Sequence, residues 1–128
     1  GGVDFTIDGY KNELSQIILN IINNSKEAIE LRQKEEPSYI GKITINSSLA
    51  DDKKIITIDD NGRGVKEEIL NRIFEPYFTT KFQNQGVGMG LFVCKMIIEK
   101  RHNGKIYAQN IDGGLRIYIE IKDNLSAI

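Results

Sequence analysis

From residue 10 to residue 34 the apolar side chains Leu14, Ile17, Ile18, Ile21, Ala28 and Ile29 recur at intervals of three and four, or their multiples. That period is one face of a helix, so the stretch "YKNELSQIILNIINNSKEAIELRQK" is expected to form a long amphipathic helix. The pattern changes on either side of it. "VDFTID" (residues 3–8) alternates like a short strand, and the β-rich runs "KITINSSL" (42–49) and "KKIITIDD" (53–60) are parted by "ADD" and read as a hairpin. "GKIYAQN" (104–110) and "GLRIYIEIK" (114–122) form a second hairpin through "IDGG". "KEEILNRIF" reads as a short helix and "MGLFVCKMIIEKRH" as another. Between them, from "EPYFTT" to "QNQG", nothing is periodic, and the stretch reads as a loop suited to act as a lid.

Length and charge narrow the classes. A chain of 128 residues is expected to fold as a single domain with one core. The 17 basic and 18 acidic side chains nearly cancel, which disfavours nucleic acid as a partner. No apolar run approaches the roughly 18 residues of a membrane span, so no direct membrane contact and a cytoplasmic setting are expected. Cys94 is the single cysteine, and its neighbours in "LFVCKMII" place it in a core as a reduced thiol.

Three constellations carry candidate chemistry. On the long helix, Asn20 and Asn24 are four residues apart and project from one side, at the edge of the apolar stripe. Two amides there either flank a core face or line a cleft. Asparagine is a poor helix former, and "NIINNS" holds three of them plus a serine, so a compensating role such as oxygen ligation of magnesium is a candidate. In "DDNGRGV", Asp60, Gly62 and Gly64 follow a strand end. A carboxylate beside glycines can accept a hydrogen bond from the amino group of a flat ligand such as adenine, although a solvated Asn-Gly turn has the same letters. Calcium is excluded because no further acidic ligand arrives at the spacing of an EF-hand loop. In "GVGMGL", Gly86, Gly88 and Gly90 alternate before a helix, where free N–H groups and the helix dipole suit phosphate, and Lys81 lies five residues earlier. The spacing is neither that of a P-loop nor that of a dinucleotide fingerprint.

Taken in order, "LNIINNSKEAI", "DDNGRGV", "IFEPYFTTK" and "GVGMGL" resemble the asparagine, first glycine, phenylalanine and second glycine boxes of the catalytic and ATP-binding domain of two-component sensor histidine kinases, in the GHKL superfamily. The resemblance spans nearly the whole chain. It implies an α/β (α+β) two-layer sandwich, with a mixed β-sheet of about five strands packed against three helices. It implies ATP and Mg2+ as cofactors, Asn24 as the metal ligand, Asn20 beside it toward the phosphates, and Asp60 as acceptor of the adenine amine over Gly62 and Gly64. Phe74, Pro76 and Phe78 correspond to the lid hinge. Ile73, Phe74, Lys81, Gly86, Val87, Gly88, Met89, Gly90 and Leu91 complete the implied nucleotide-binding set.

The same resemblance implies that residues 1–128 are one catalytic domain without dimerisation and phosphoacceptor helices. The expected partners are then the dimerisation and histidine phosphotransfer domain of the same kinase and the receiver domain of a response regulator. His102, the only histidine, precedes Asn103 and Gly104 and is expected to cap a helix C-terminus, not to accept phosphate. Three features depart from the family pattern, one being that "GGLRIYI" lacks the threonine or serine often seen near the last hairpin. Glu27 stands where many members carry a basic residue toward the phosphates, and Val87 replaces the usual threonine. A GHKL ATPase or an anti-sigma-factor serine kinase is the alternative, but both usually carry a glutamate at the position of Asn20, and a neutral amide cannot act as a general base.

Overall fold

A computed structural model describes residues 11–76 and 90–122. Helix α1 (Lys11–Glu35) runs for 25 residues, and its apolar period decides which side is buried. Leu14, Ile17, Ile18 and Ile21 share one core with Ile56, Ile58, Ile117, Ile119 and Ile121 from the sheet. The sheet consists of β1 (Ile43–Ala50), β2 (Lys53–Asp60), β3 (Lys105–Ile111) and β4 (Gly114–Lys122). Its order is β1-β2-β4-β3, with every neighbouring pair antiparallel.

Both expected hairpins form. The first turns through Asp51 and Asp52, at φ of 52° and 65°. Two consecutive positive φ values give the twist that suits a two-residue hairpin, and aspartate tolerates them better than most side chains. The second turns at Gly113, with φ of 80°.

The two-layer α/β sandwich agrees with expectation, whereas the strand count and the mixed character of the sheet differ among the described residues. Four strands are present and all are antiparallel, because two hairpins meet through β2 and β4, which themselves pair antiparallel. The strand expected at "VDFTID" lies outside the described residues.

The helix expected at "KEEILNRIF" is reduced to α2 (Glu67–Leu70), followed by turns in which Arg72 N–H reaches Ile69 O and Glu75 N–H reaches Arg72 O. Lys66 offers no side-chain cap, and a segment this short has little to sustain helical nucleation. Helix α3 (Leu91–Arg101) follows Gly90 and buries Leu91, Cys94 and Ile98. His102 ends it as expected. Its backbone N–H reaches Ile98 O at 3.3 Å, Asn103 turns at φ 51°, and Gly104 N–H returns to the same carbonyl at 3.0 Å. The buried imidazole also meets α1, with Nε2 3.2 Å from Glu13 Oε1.

Strand register positions the site. On β2, Ile56, Ile58 and Asp60 face the helices, while Thr57 and Asp59 face away. Leu115 of β4 lies opposite Asp60, and Arg116 lies opposite Asp59. On the outer face Arg116 grips both Asp59 oxygens at 2.7 Å, a bidentate pair. A slip of one residue would exchange the two aspartates, placing an arginine-paired carboxylate in the core.

Candidate nucleotide site

Asp60 ends β2 beneath α1, only 5% exposed. Burial raises its carboxyl above the ordinary carboxylate range. Hydrogen bonds from Gly62 N–H, the Ser25 hydroxyl and Leu115 N–H pull the other way, and the Asp59 charge adds to the upward shift. A buried acid held by three donors has its orientation set before any ligand arrives.

The two glycines beside it serve different ends. A Cβ on Gly62 would come within 2.9 Å of Ala28 Cβ and 3.1 Å of the Ala28 carbonyl carbon, so the loop can lie against α1 only if this residue has no side chain. Gly62 N–H then reaches Asp60 Oδ1 at 2.9 Å. Gly64 takes a left-handed φ of 71°, and a Cβ there would stand 2.6 Å from Asn110 Oδ1.

The loop is anchored at both ends by side chains that the sequence pattern does not single out. At its start, Tyr39 Oη donates to Asn61 O at 2.7 Å, and Arg32 Nη1 donates to Gly62 O at 2.7 Å. At its end Asn110, on β3, accepts from Val65 N–H at 2.9 Å and donates to Val65 O at 2.5 Å, imitating a strand partner. Isolated polar letters carry no period, so nothing in the sequence marks Tyr39, Arg32 or Asn110. Ser25 was closer to hand, as a small polar residue beside Asn24 that is only 4% exposed.

A cavity of about 250 Å³ opens between α1, the loop, α2 and the start of α3. Its lining brings together Asn24, Asp60, Gly64, Ile73 and Leu91, five of the residues expected from sequence, and adds Glu27. The volume is slightly below the roughly 300–1,000 Å³ of sites that hold a whole drug-sized ligand. It suits a flat base whose sugar and phosphates continue outside. Apolar walls from Ile73, Leu91 and Ile117, with one buried acid, are the chemistry of a heteroaromatic ring that carries an amine.

Other expected residues stand elsewhere. Asn20 is 7% exposed, deeper than the stripe edge expected from rotation about the helix, and its Nδ2 donates to Cys94 Sγ at 3.5 Å. Its partner Cys94 comes from α3, a contact that helical periodicity alone does not reveal. Burial in turn raises the Cys94 thiol pKa, against the opposing bond from Asn20. Phe74 is a core residue, 7% exposed. Gly90 is exposed at the start of α3. Lys81, Gly86, Val87, Gly88 and Met89, with the hinge residue Phe78, lie outside the described residues.

A divalent ion would find the Asn24 amide at the cavity wall, and Glu27 one turn further along the helix. Among the described residues no three His, Cys, Asp or Glu side chains converge. This donor set fits an ion that takes most of its ligands from phosphate and water, as magnesium does.

Over residues 9–125 the chain matches the family described as histidine kinase-, DNA gyrase B-, and HSP90-like ATPase. It is similar to sporulation kinase D of Bacillus subtilis, 37% identical over 100 residues that cover 78% of this chain and 18% of that protein. The sensor histidine kinase ZraS of Salmonella typhi is 40% identical over 103 residues, covering 80% of this chain and 20% of ZraS. The chain thus spans about a fifth of the length of these curated relatives. Among solved structures, the catalytic domain of histidine kinase ThkA superposes with a TM-score of 0.73 at 33% identity, covering 88% of this chain and 69% of that one. ThkA in complex with the response regulator protein TrrA superposes with a TM-score of 0.72 at 29% identity, covering 95% of this chain and 32% of that one.

Proposed function

Because the chain belongs to the histidine kinase-, DNA gyrase B- and HSP90-like ATPase family and is homologous to sensor histidine kinase catalytic domains, we propose that its cavity binds Mg-ATP and delivers the γ-phosphoryl to a protein histidine. The observation that carries this reading is Asp60, a buried, pre-oriented carboxylate that borders the same cavity as Gly64 and Asn24. Asp60 accepts the adenine amine, Gly62 keeps the loop close against α1, and Gly64 brings backbone to the cavity wall. Asn24 would hold Mg2+, whose charge would offset that of the phosphates. The Gly90 end of α3 supplies free N–H groups toward an anion.

The acceptor histidine belongs, in this reading, to the dimerisation and histidine phosphotransfer domain of the same kinase. His102 does not suit that role. Its side chain is 2% exposed and rests on Glu13, and it lies about 18 Å along α3 from Gly90 at 1.5 Å per residue. Hydrolysis by an activated water is disfavoured, because Asn20 is a neutral amide turned toward Cys94. The receiver domain of a response regulator is the proposed downstream partner, by analogy with the ThkA complex. Among the described residues no helix is long and apolar enough to cross a membrane.

Incubation with ATP labelled at the γ-phosphate tests this. The chain alone should neither label itself nor hydrolyse ATP quickly, and a dimerisation fragment carrying the acceptor histidine should become labelled when added. Acid-labile phosphate on His102, or rapid hydrolysis without a partner, would overturn the reading.

A further inference from the structure

The peptide between Asn61 and Gly62 is gripped at both ends. Its carbonyl oxygen accepts the Tyr39 hydroxyl at 2.7 Å and, more distantly, Arg32 Nη1 at 3.4 Å. Its N–H points to Asp60 Oδ1 at 2.9 Å. A trans peptide is planar, with C=O and N–H directed oppositely, so holding the oxygen fixes where the N–H aims. We infer that Tyr39 is a positioning residue for base selection, acting through this one peptide to hold the Asp60 carboxylate in the orientation that accepts an adenine amine. The inference rests on the reading of the cavity as an adenine site.

Tyr39 is itself placed with care. Its ring lies under the Arg32 guanidinium, 3.9 Å from Cζ to the ring centroid. Its backbone is tied at the carbonyl by Gln33 Nε2 at 2.9 Å and at the N–H by Glu36 O at 2.8 Å. Asn61 is held laterally as well, with Oδ1 accepting from Lys42 N–H at 2.7 Å and Nδ2 donating to Ile40 O at 2.9 Å. The C-terminal end of α1, the connection to β1 and the loop after β2 therefore meet at one oxygen. Tyr39 is only partly buried and packs outside the core, so losing its hydroxyl leaves the apolar framework untouched.

Tyr39→Phe removes that hydroxyl and keeps the ring beneath Arg32. Calorimetry should compare ATP with inosine triphosphate, which carries a carbonyl where adenine has its amine. ATP affinity should fall roughly three- to ten-fold, as for one lost hydrogen bond, while inosine triphosphate affinity stays unchanged. In the nucleotide-free protein the Gly62 amide proton should shift upfield, reporting a weaker bond to Asp60. Arg32→Met removes the second grip and should move both readouts the same way, by less. Equal losses for both nucleotides, or a selectivity ratio and Gly62 resonance that do not move in either variant, would overturn the inference. If the unmodified protein bound the two nucleotides equally, the adenine reading would fail first and this inference with it.

Discussion

Asp60→Asn should weaken ATP binding and stabilise the empty protein at neutral pH. The substitution preserves shape, leaves an Oδ1 acceptor for Gly62 N–H, and lets the Ser25 hydroxyl reverse its role toward the new amide. The charge is lost, and Leu115 N–H must share the one remaining oxygen with Gly62 N–H. The raised pKa of Asp60 means that desolvation outweighs the three hydrogen bonds together, so the fold holds the neutral acid more tightly than the unfolded chain does. A group raised in this way contributes stability that is fully present below the ordinary carboxylate range and is lost as pH rises through the folded-state pKa. Above that window the ionised side chain works against folding. The variant should therefore melt higher than the unmodified protein at pH 7, with the gap closing in acid. ATP loses a charge-assisted hydrogen bond, about 1.5–3 kcal/mol or roughly 10- to 150-fold in Kd. Thermal melts at several pH values, with calorimetric titration of ATP, measure both effects. A lower melting temperature at pH 7, or unchanged ATP affinity, would refute the argument.

Asn24→Ala should remove most of the magnesium dependence of ATP binding while shifting the melting temperature little, because the side chain lies at a cavity wall. Ile21→Ala, by contrast, should cost about 2–5 kcal/mol of stability, and comparable melting losses for the two variants would show Asn24 to be a packing residue. Gly62→Ala drives a methyl against the α1 backbone at Ala28, so it should cost about 1–3 kcal/mol and weaken ATP binding through the displaced loop. A variant with unchanged melting and unchanged affinity would show that the close approach is not needed.

Elements governed by local rules were legible in the sequence. The period of three and four fixed α1 and its buried face, the turn residues fixed both hairpins, and Asn103 and Gly104 marked the end of α3. Asp60 was singled out in the sequence by its place before Gly62 and Gly64 and by the family resemblance, whereas its burial beside Ile56 and Ile58, with Asp59 on the other face, is set by the strand register. What tertiary structure alone decided was every contact between segments distant in sequence. Asn20 is buried, and its amide meets Cys94 of α3, 74 residues away. Arg32 and Tyr39 reach the 61–62 carbonyls, and Asn110 reaches Val65, across 22 to 45 residues. Such pairings leave no periodic trace, since each depends on one polar atom arriving within about 3 Å of another once the core has set the layers. The sequence contained the acid that can read an amine, and the packing of α1 against the sheet determined which side chains hold that acid in place.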